Sequence, residues 1–173
     1  MPERLQSSRT FPAVFWGASR VTFLPVEAPL PTEMSVPAAL VFAVQDSGFV
    51  VADIAGRGWC VPGGRLEPGE SPEQAARREA GEEAGATLGP LRLLGHFVQM
   101  NAETGLQILA AAFAGPVIRL DRLPPGSEAR GVTRMTLSEL PHRYYFWDAL
   151  LEAVFTCALA RQESAAGDGA APR

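Results

Sequence analysis

Apolar and polar positions fall into blocks along the chain, and the blocks predict strands, a helix, more strands and a closing helix. Val21 to Val26 is an apolar run that reads as one strand in an otherwise irregular N-terminal stretch, where Pro25, Pro29, Pro31 and Pro37 interrupt the pattern. Ala38 to Gln45 is nearly continuous in apolar residues and reads as a buried strand. Asp46-Ser47-Gly48 signals a turn, and Phe49 to Ile54 completes a hairpin. The stretch from Gly56 to Gly64 holds too much glycine for a helix and reads as a loop.

Ser71 to Gly85 carries every local mark of a helix: Ser71 as N-cap, Pro72 at the first position, Gln74 closing a Ser-x-x-Gln capping box and Gly85 as the stop. Ala76, Ala80 and Ala84 form a small-residue stripe that lets such a helix lie close to a sheet. Leu91 to Gln99 and Gln107 to Phe113 follow as strands around a polar turn at Asn101 to Gly105, with Ile118 to Leu123 and Val132 to Thr136 as further strand candidates. Tyr145 to Ala160 reads as a second helix with Leu151, Val154, Phe155 and Ala158 on its apolar face, and Tyr144 to Trp147 as its start. This order predicts an α+β domain, with layered α/β/α packing, over 36–162. It is preceded by an irregular segment over 1–35 and followed by a small, polar, flexible tail over 163–173.

Composition narrows the chemistry. A chain of 173 residues predicts one domain, and no apolar run is long enough to span a bilayer. No secretory signal is readable at the N-terminus, and two cysteines make no disulfide framework, so a cytoplasmic location is expected. A net charge of −4 gives no reason to expect a nucleic-acid partner. All 15 basic residues are arginine, which excludes Schiff-base lysines and a P-loop. His96 and His142 are the only histidines, and no G-x-S-x-G elbow accompanies them. Carboxylates, arginines, hydroxyls, backbone groups and a hard metal ion remain.

The carboxylates are concentrated. Six glutamates fall between Glu67 and Glu83, and Glu79, Glu82 and Glu83 share one side of the predicted helix. They stand near the helix C-terminus, where the macrodipole disfavours anions. Either that face is solvated and offset by Arg77 and Arg78, or a divalent cation such as Mg2+ occupies it, with the Pro62-Gly63-Gly64 backbone close by.

Wider spacing decides between these. Gly64, Glu70, Arg78, Glu79, Ala80, Glu82, Glu83, Gly85 and Ala86 fit the pattern G-x5-E-x7-R-E-U-x-E-E-x-G-U, which resembles the Nudix box, and the chain is similar to Nudix hydrolases. The resemblance implies an α/β/α sandwich with a mixed sheet. It implies an enzyme that cleaves a nucleoside diphosphate linked to another moiety, with Mg2+ or Mn2+. Carried over by position, Glu79, Glu82 and Glu83 would hold the metal with the Gly63 carbonyl. Arg78 would orient Glu79, and Glu70 would support the loop or a second metal. Ala80 and Gly81 depart from the usual box without removing a charged group.

The resemblance also implies a carboxylate base: Glu79, or a later glutamate, for which Glu128 is placed as in MutT-like enzymes and Glu103 is the other loop candidate. Signatures of diadenosine-polyphosphate, ADP-ribose, NADH and coenzyme A hydrolases are absent. Arg57-Gly58-Trp59 leading into Val61-Pro62-Gly63-Gly64 is similar to MutT-like (d)NTP pyrophosphatases that clear oxidised guanine nucleotides. A nucleotide-sugar or dinucleotide pyrophosphatase and a non-hydrolytic nucleotide-binding regulator are the alternatives. Arg57 and Arg65 are candidate phosphate contacts, and Trp59 either stacks on a base or packs on the sheet. A small-molecule nucleotide is the expected partner, with no membrane; Tyr144 to Trp147 leave a homodimer contact open.

Overall fold

The computed structural model describes residues 10–30 and 34–168. The elements are β1 (Val14–Trp16), β2 (Ser19–Pro25), β3 (Ala38–Gln45), β4 (Gly48–Ile54), β5 (Gly58–Cys60), β6 (Gly63–Arg65), α1 (Pro72–Ala84), β7 (Ala86–Leu88), β8 (Arg92–Asn101), β9 (Gln107–Leu120), β10 (Ala129–Met135), α2 (Leu140–Arg143) and α3 (Ala149–Asp168). The main sheet runs β1-β2-β8-β9-β3-β4-β10, with β5 added to β4, β6 to β3 and β7 to β9. Among the described strands β3 and β9 form the parallel pair, from Ala38 opposite Ala110 to Val44 opposite Pro116, and the other pairs are antiparallel. The sheet is therefore mixed.

Both faces of the sheet centre are covered, which is why β3 reads as an unbroken apolar run. Its Ala39, Val41 and Ala43 face α1, together with Val50, Ala111 and Phe113. Phe42 and Val44 face α3, where Leu150, Leu151, Val154, Phe155 and Ala158 pack. Phe42, Phe49 and Phe155 meet edge to face, with Phe155 4.8 Å from each of the other two ring centres. The result is an α/β/α sandwich, as the pattern of elements led us to expect.

The helix α1 follows its local signals closely. Ser71 accepts the Gln74 amide, Gln74 accepts the Ser71 amide, and Gly85 closes the helix in the left-handed conformation at φ 64°. Ala76, Ala80 and Ala84 are completely buried against the sheet. The β3–β4 turn is the tight one expected: Asp46 and Ser47 both take positive φ, as a two-residue hairpin requires.

Several expectations need correction. The stretch before residue 36 carries two strands instead of one, and β1–β2 extends the sheet by pairing with β8 from Ser19–Asn101 to Pro25–Gly95. The Gly56 to Gly64 loop contains β5 and the start of β6, each three residues long. Ile118 to Leu120 continues β9 instead of starting a new strand, since β7 pairs with it there. The second helix begins at Ala149, not Tyr145, because Asp148 caps it: its Oδ1 accepts the Leu151 amide at 2.8 Å. That helix continues to Asp168 through part of the expected flexible tail; residues 169–173, like 1–9, lie outside the described residues.

A Cβ at Gly81, on the outer side of α1, would meet nothing within 4 Å, so Gly81→Ala should stabilise the protein by about 0.5–1 kcal/mol, read as a higher urea midpoint at unchanged slope. His96 is buried on β8, and burial lowers its pKa from the ordinary 6.5. The unfolded chain thus takes up the proton first as pH falls through about 6.5, which favours unfolding. Stability should decline from pH 7 towards the lower folded-state pKa, and His96→Leu should flatten that part of a denaturation series.

Candidate active site

Arg78 organises the acids of α1. Its Nε and Nη2 donate to the two oxygens of Glu70 at 2.9 and 3.0 Å, a bidentate fork. Nη1 donates to Glu79 at 2.9 Å and to Glu82 at 3.1 Å, and Nη2 also donates to the Arg65 carbonyl at 3.0 Å. The guanidinium accordingly stays charged, held first by Glu70 and then by Glu79 against the opposing effect of burial. Arg78 in turn keeps the Glu70 carboxyl below the usual range, aided by the Glu67 amide at 2.8 Å. Of the two roles expected for Glu70, supporting the loop or a second metal, the structure shows both its oxygens facing the arginine.

Glu79 and Glu83, one helical turn apart, are the buried pair, only 9% and 8% exposed. Glu83 accepts the Gly63 amide at 3.0 Å. A Cβ on Gly64 would collide with the Glu79 carboxylate, so the bare glycine makes room for it. Burial pushes the Glu83 carboxyl up, with the charges of Glu79 and Glu128 adding to the effect and the Gly63 amide and Arg57 opposing it. Oε2 of Glu79 and Oε1 of Glu83 take no hydrogen bond among the described residues, and no described polar side-chain atom is both buried and unpaired. Glu70, Glu79, Glu82, Glu83 and the nearby Glu128 thus outnumber Arg78 and Arg57, and Glu79 and Glu83 keep free carboxylate oxygens. That donor set fits a hard divalent cation.

The expected triplet does not converge by itself. Glu82 turns outward to Arg78, its side chain 56% exposed, and among the described residues no three of His, Cys, Asp or Glu gather as a ready ligand group. Helical spacing places the three acids on one side, but the i,i+4 attraction to Arg78 takes up one oxygen of Glu82.

Of the two later glutamates, Glu128 is the one brought to α1. Ser127 Oγ donates to the Glu82 carbonyl at 2.7 Å and accepts the Ala129 amide at 3.1 Å, and the Glu128 carbonyl accepts the Ala55 amide at 3.2 Å. Glu103 lies on the exposed Asn101–Gly105 turn, where its amide donates to Asn101 Oδ1 at 2.9 Å, and no described hydrogen bond or ion pair links it to α1. The anchoring role of Ser127 was not visible in the sequence, since its partner carbonyl is 45 residues away.

Beside Gly63 and Gly64 lies a pocket of about 270 Å³, whose wall includes Arg57, Arg65, Phe97, Tyr144, Tyr145 and Trp16. Trp59 is not part of that wall: it packs on the core, with the Arg143 guanidinium 5.8 Å from its ring centre. Of the two alternatives for Trp59, these contacts are those of packing on the sheet. Tyr144 does more than the sequence suggested. Its hydroxyl accepts the Val61 amide at 3.1 Å while the Tyr145 amide donates to the Trp59 carbonyl at 2.9 Å, so this extended segment braces the chain entering the Gly63–Gly64 turn.

The fold and this arrangement define a class. A family model described as NUDIX domain matches residues 34–154. The chain belongs to the Nudix family. No curated protein sequence matches it. Among solved structures it is similar to the Bacillus subtilis pyrophosphohydrolase BsRppH, with a TM-score of 0.67 at 20% identity over 86% of this chain and 92% of that one. A NUDIX hydrolase from Nitrosomonas europaea gives a TM-score of 0.55 at 26% identity, over 76% and 90%. The MutT NUDIX hydrolase from Burkholderia pseudomallei gives 0.56 at 20%, over 70% and 97%. Members of the family act on small nucleotide substrates and generally use divalent metals. No described helix is long and apolar enough to cross a membrane.

Gly64→Ala tests the contact between loop and helix. The added methyl should displace the Glu79 carboxylate and weaken Mg2+ or Mn2+ binding by about 10–100-fold, as loss of a supporting contact at a metal site does. Calorimetric titration of the cation, with circular dichroism to verify the fold, checks it.

Proposed function

We propose that the chain hydrolyses nucleoside triphosphates, ordinary or oxidised, to a nucleoside monophosphate and pyrophosphate, with Mg2+ or Mn2+ as cofactor. The observation that carries this reading is the buried pair Glu79 and Glu83, facing the Gly63–Gly64 turn with oxygens to spare. These two carboxylates would hold the cation with the Gly63 carbonyl, and Glu82 would supply a third carboxylate. When bound, the cation neutralises phosphate oxygens and makes a water more acidic.

The remaining work belongs to the chain. Arg78, fixed by Glu70, keeps Glu79 aligned. Arg57 and Arg65, on the wall of the pocket, contact phosphate oxygens. Glu128, anchored beside Glu83 by Ser127, accepts the proton of the attacking water, with Glu79 as the other candidate base. The water oxygen forms a new bond to phosphorus, the anhydride P–O bond breaks, and the bridging oxygen leaves with the pyrophosphate. The pocket of about 270 Å³ is near the lower end of small-ligand sites, about 300 Å³, and suits one nucleoside better than the two of a dinucleotide. The two free cysteines, both buried, fit a reducing compartment such as the cytoplasm.

A panel of (d)NTPs, 8-oxo-dGTP, nucleotide sugars and dinucleoside polyphosphates, each with Mg2+ and with Mn2+, tests the reading. Pyrophosphate release from triphosphates is expected. Cleavage of nucleotide sugars or dinucleotides alone, or of nothing, would overturn it. Glu83→Gln should lower kcat by roughly 10²–10³-fold, as removal of an electrostatic stabiliser does. It should also make the cation-free protein harder to unfold at neutral pH, since a buried charge is removed.

A further inference from the structure

The family match begins at residue 34, yet the β1–β2 hairpin before it reaches the pocket beside Gly63 and Gly64. Trp16, the last residue of β1, is part of the pocket wall. Its indole Nε1 donates to Asp148 Oδ2 at 2.7 Å, across 132 positions of sequence. The other oxygen of that carboxylate, Oδ1, accepts the Leu151 amide at 2.8 Å. One side chain thus caps α3 and fastens the hairpin's indole. The ring also packs against Phe97 at 5.7 Å and edge-on against Phe146 at 5.2 Å, so its orientation is fixed from three directions.

We propose that Trp16 is the specificity-determining wall of this pocket, stacking on the planar base of a nucleotide whose phosphates lie at the Gly63–Gly64 turn. This rests on the proposed function for the location of the phosphates. The argument for an aromatic occupant is local. The wall combines aromatic faces (Trp16, Phe97, Tyr144, Tyr145) with the arginines and glycines next to the acidic pair, so an apolar, flat group and a phosphate chain are accommodated side by side. The indole N–H is already taken by Asp148. Trp16 therefore offers a base its π-face and no hydrogen bond, so it separates ligands that carry a base from those that do not, with tolerance for which base is present. A rigid ring held before binding also loses little freedom on binding.

Calorimetry with AMP, GMP, CMP and UMP, against ribose 5-phosphate as the base-free control, reads this directly. The wild-type protein should bind at least one nucleoside monophosphate about 10-fold more tightly than ribose 5-phosphate. Trp16→Leu should erase that difference, and Trp16→Phe should keep part of it. Asp148→Ser retains an N-cap for α3 but releases the indole; it should weaken nucleoside monophosphate binding and leave ribose 5-phosphate unchanged, and it decides the matter if Trp16→Leu does not fold. Binding of nucleoside monophosphates by folded Trp16 and Asp148 variants as in the wild type, or a wild-type protein without preference for the base, overturns the proposal. Preference for the base without hydrolysis of any nucleotide would instead overturn the proposed reaction while leaving Trp16 its role. Hydrolysis without that preference would do the reverse.

Discussion

The acidic pair sits where it does because α1 lies close to the sheet, and it lies close because the helix presents only alanine to the strands along Ala76, Ala80 and Ala84. Ala76, Ala80 and Ala84 pack in one cluster with Ala39, Val41, Ala43, Val50, Ala111 and Phe113 of the sheet. A bulkier residue at any of these positions would lift the helix and take the carboxylates off the Gly63–Gly64 turn. The same closeness explains the two glycines: a side chain on Gly63 would enter the space of Leu40, and one on Gly64 would enter that of Glu79. Helix, strand and loop are thus adjusted to one spacing, and the acids at the helix end inherit their position from it.

Arginine suits the centre of that arrangement in a way lysine would not. The planar guanidinium of Arg78 serves Glu70, Glu79, Glu82 and a backbone carbonyl at once, in fixed directions. An ammonium group offers three donors from a single point and would have to choose among these acceptors. The arrangement joins the loop before α1 to the acids along it, so the loop's conformation and the direction of Glu79 depend on each other.

Much of this was legible in the sequence where the cause is local. The helix from Ser71 to Gly85 is specified by residues within a few positions of its own ends, and the spacing from Gly64 to Ala86 held enough fixed positions to point to the family. The losses occurred where the cause is distant or competes with the local pattern. The apolar run from Tyr145 onwards looks helical, yet Asp148 sets the start later, because its side chain answers both the helix amide and an indole from the other end of the chain. Trp59 and Trp16 are alike in composition terms; only the assembled sheet shows which one borders the pocket. Helical spacing likewise says that Glu82 is near Glu79 and Glu83, but not that Arg78 takes up one of its oxygens.

The parallel pairing of β3 with β9 has a consequence for how the molecule forms. These neighbours at the sheet centre are separated in sequence by β4 through β8 and by the whole of α1. Joining them requires closing a long loop before the contact returns any stabilisation, the kind of topology that folds slowly. The surface on which α1 rests includes residues of both strands, Val41 from one and Ala111 from the other. During synthesis on the ribosome, the helix bearing the acids emerges well before β9, so its docking surface is finished only after more than half of the chain has been made.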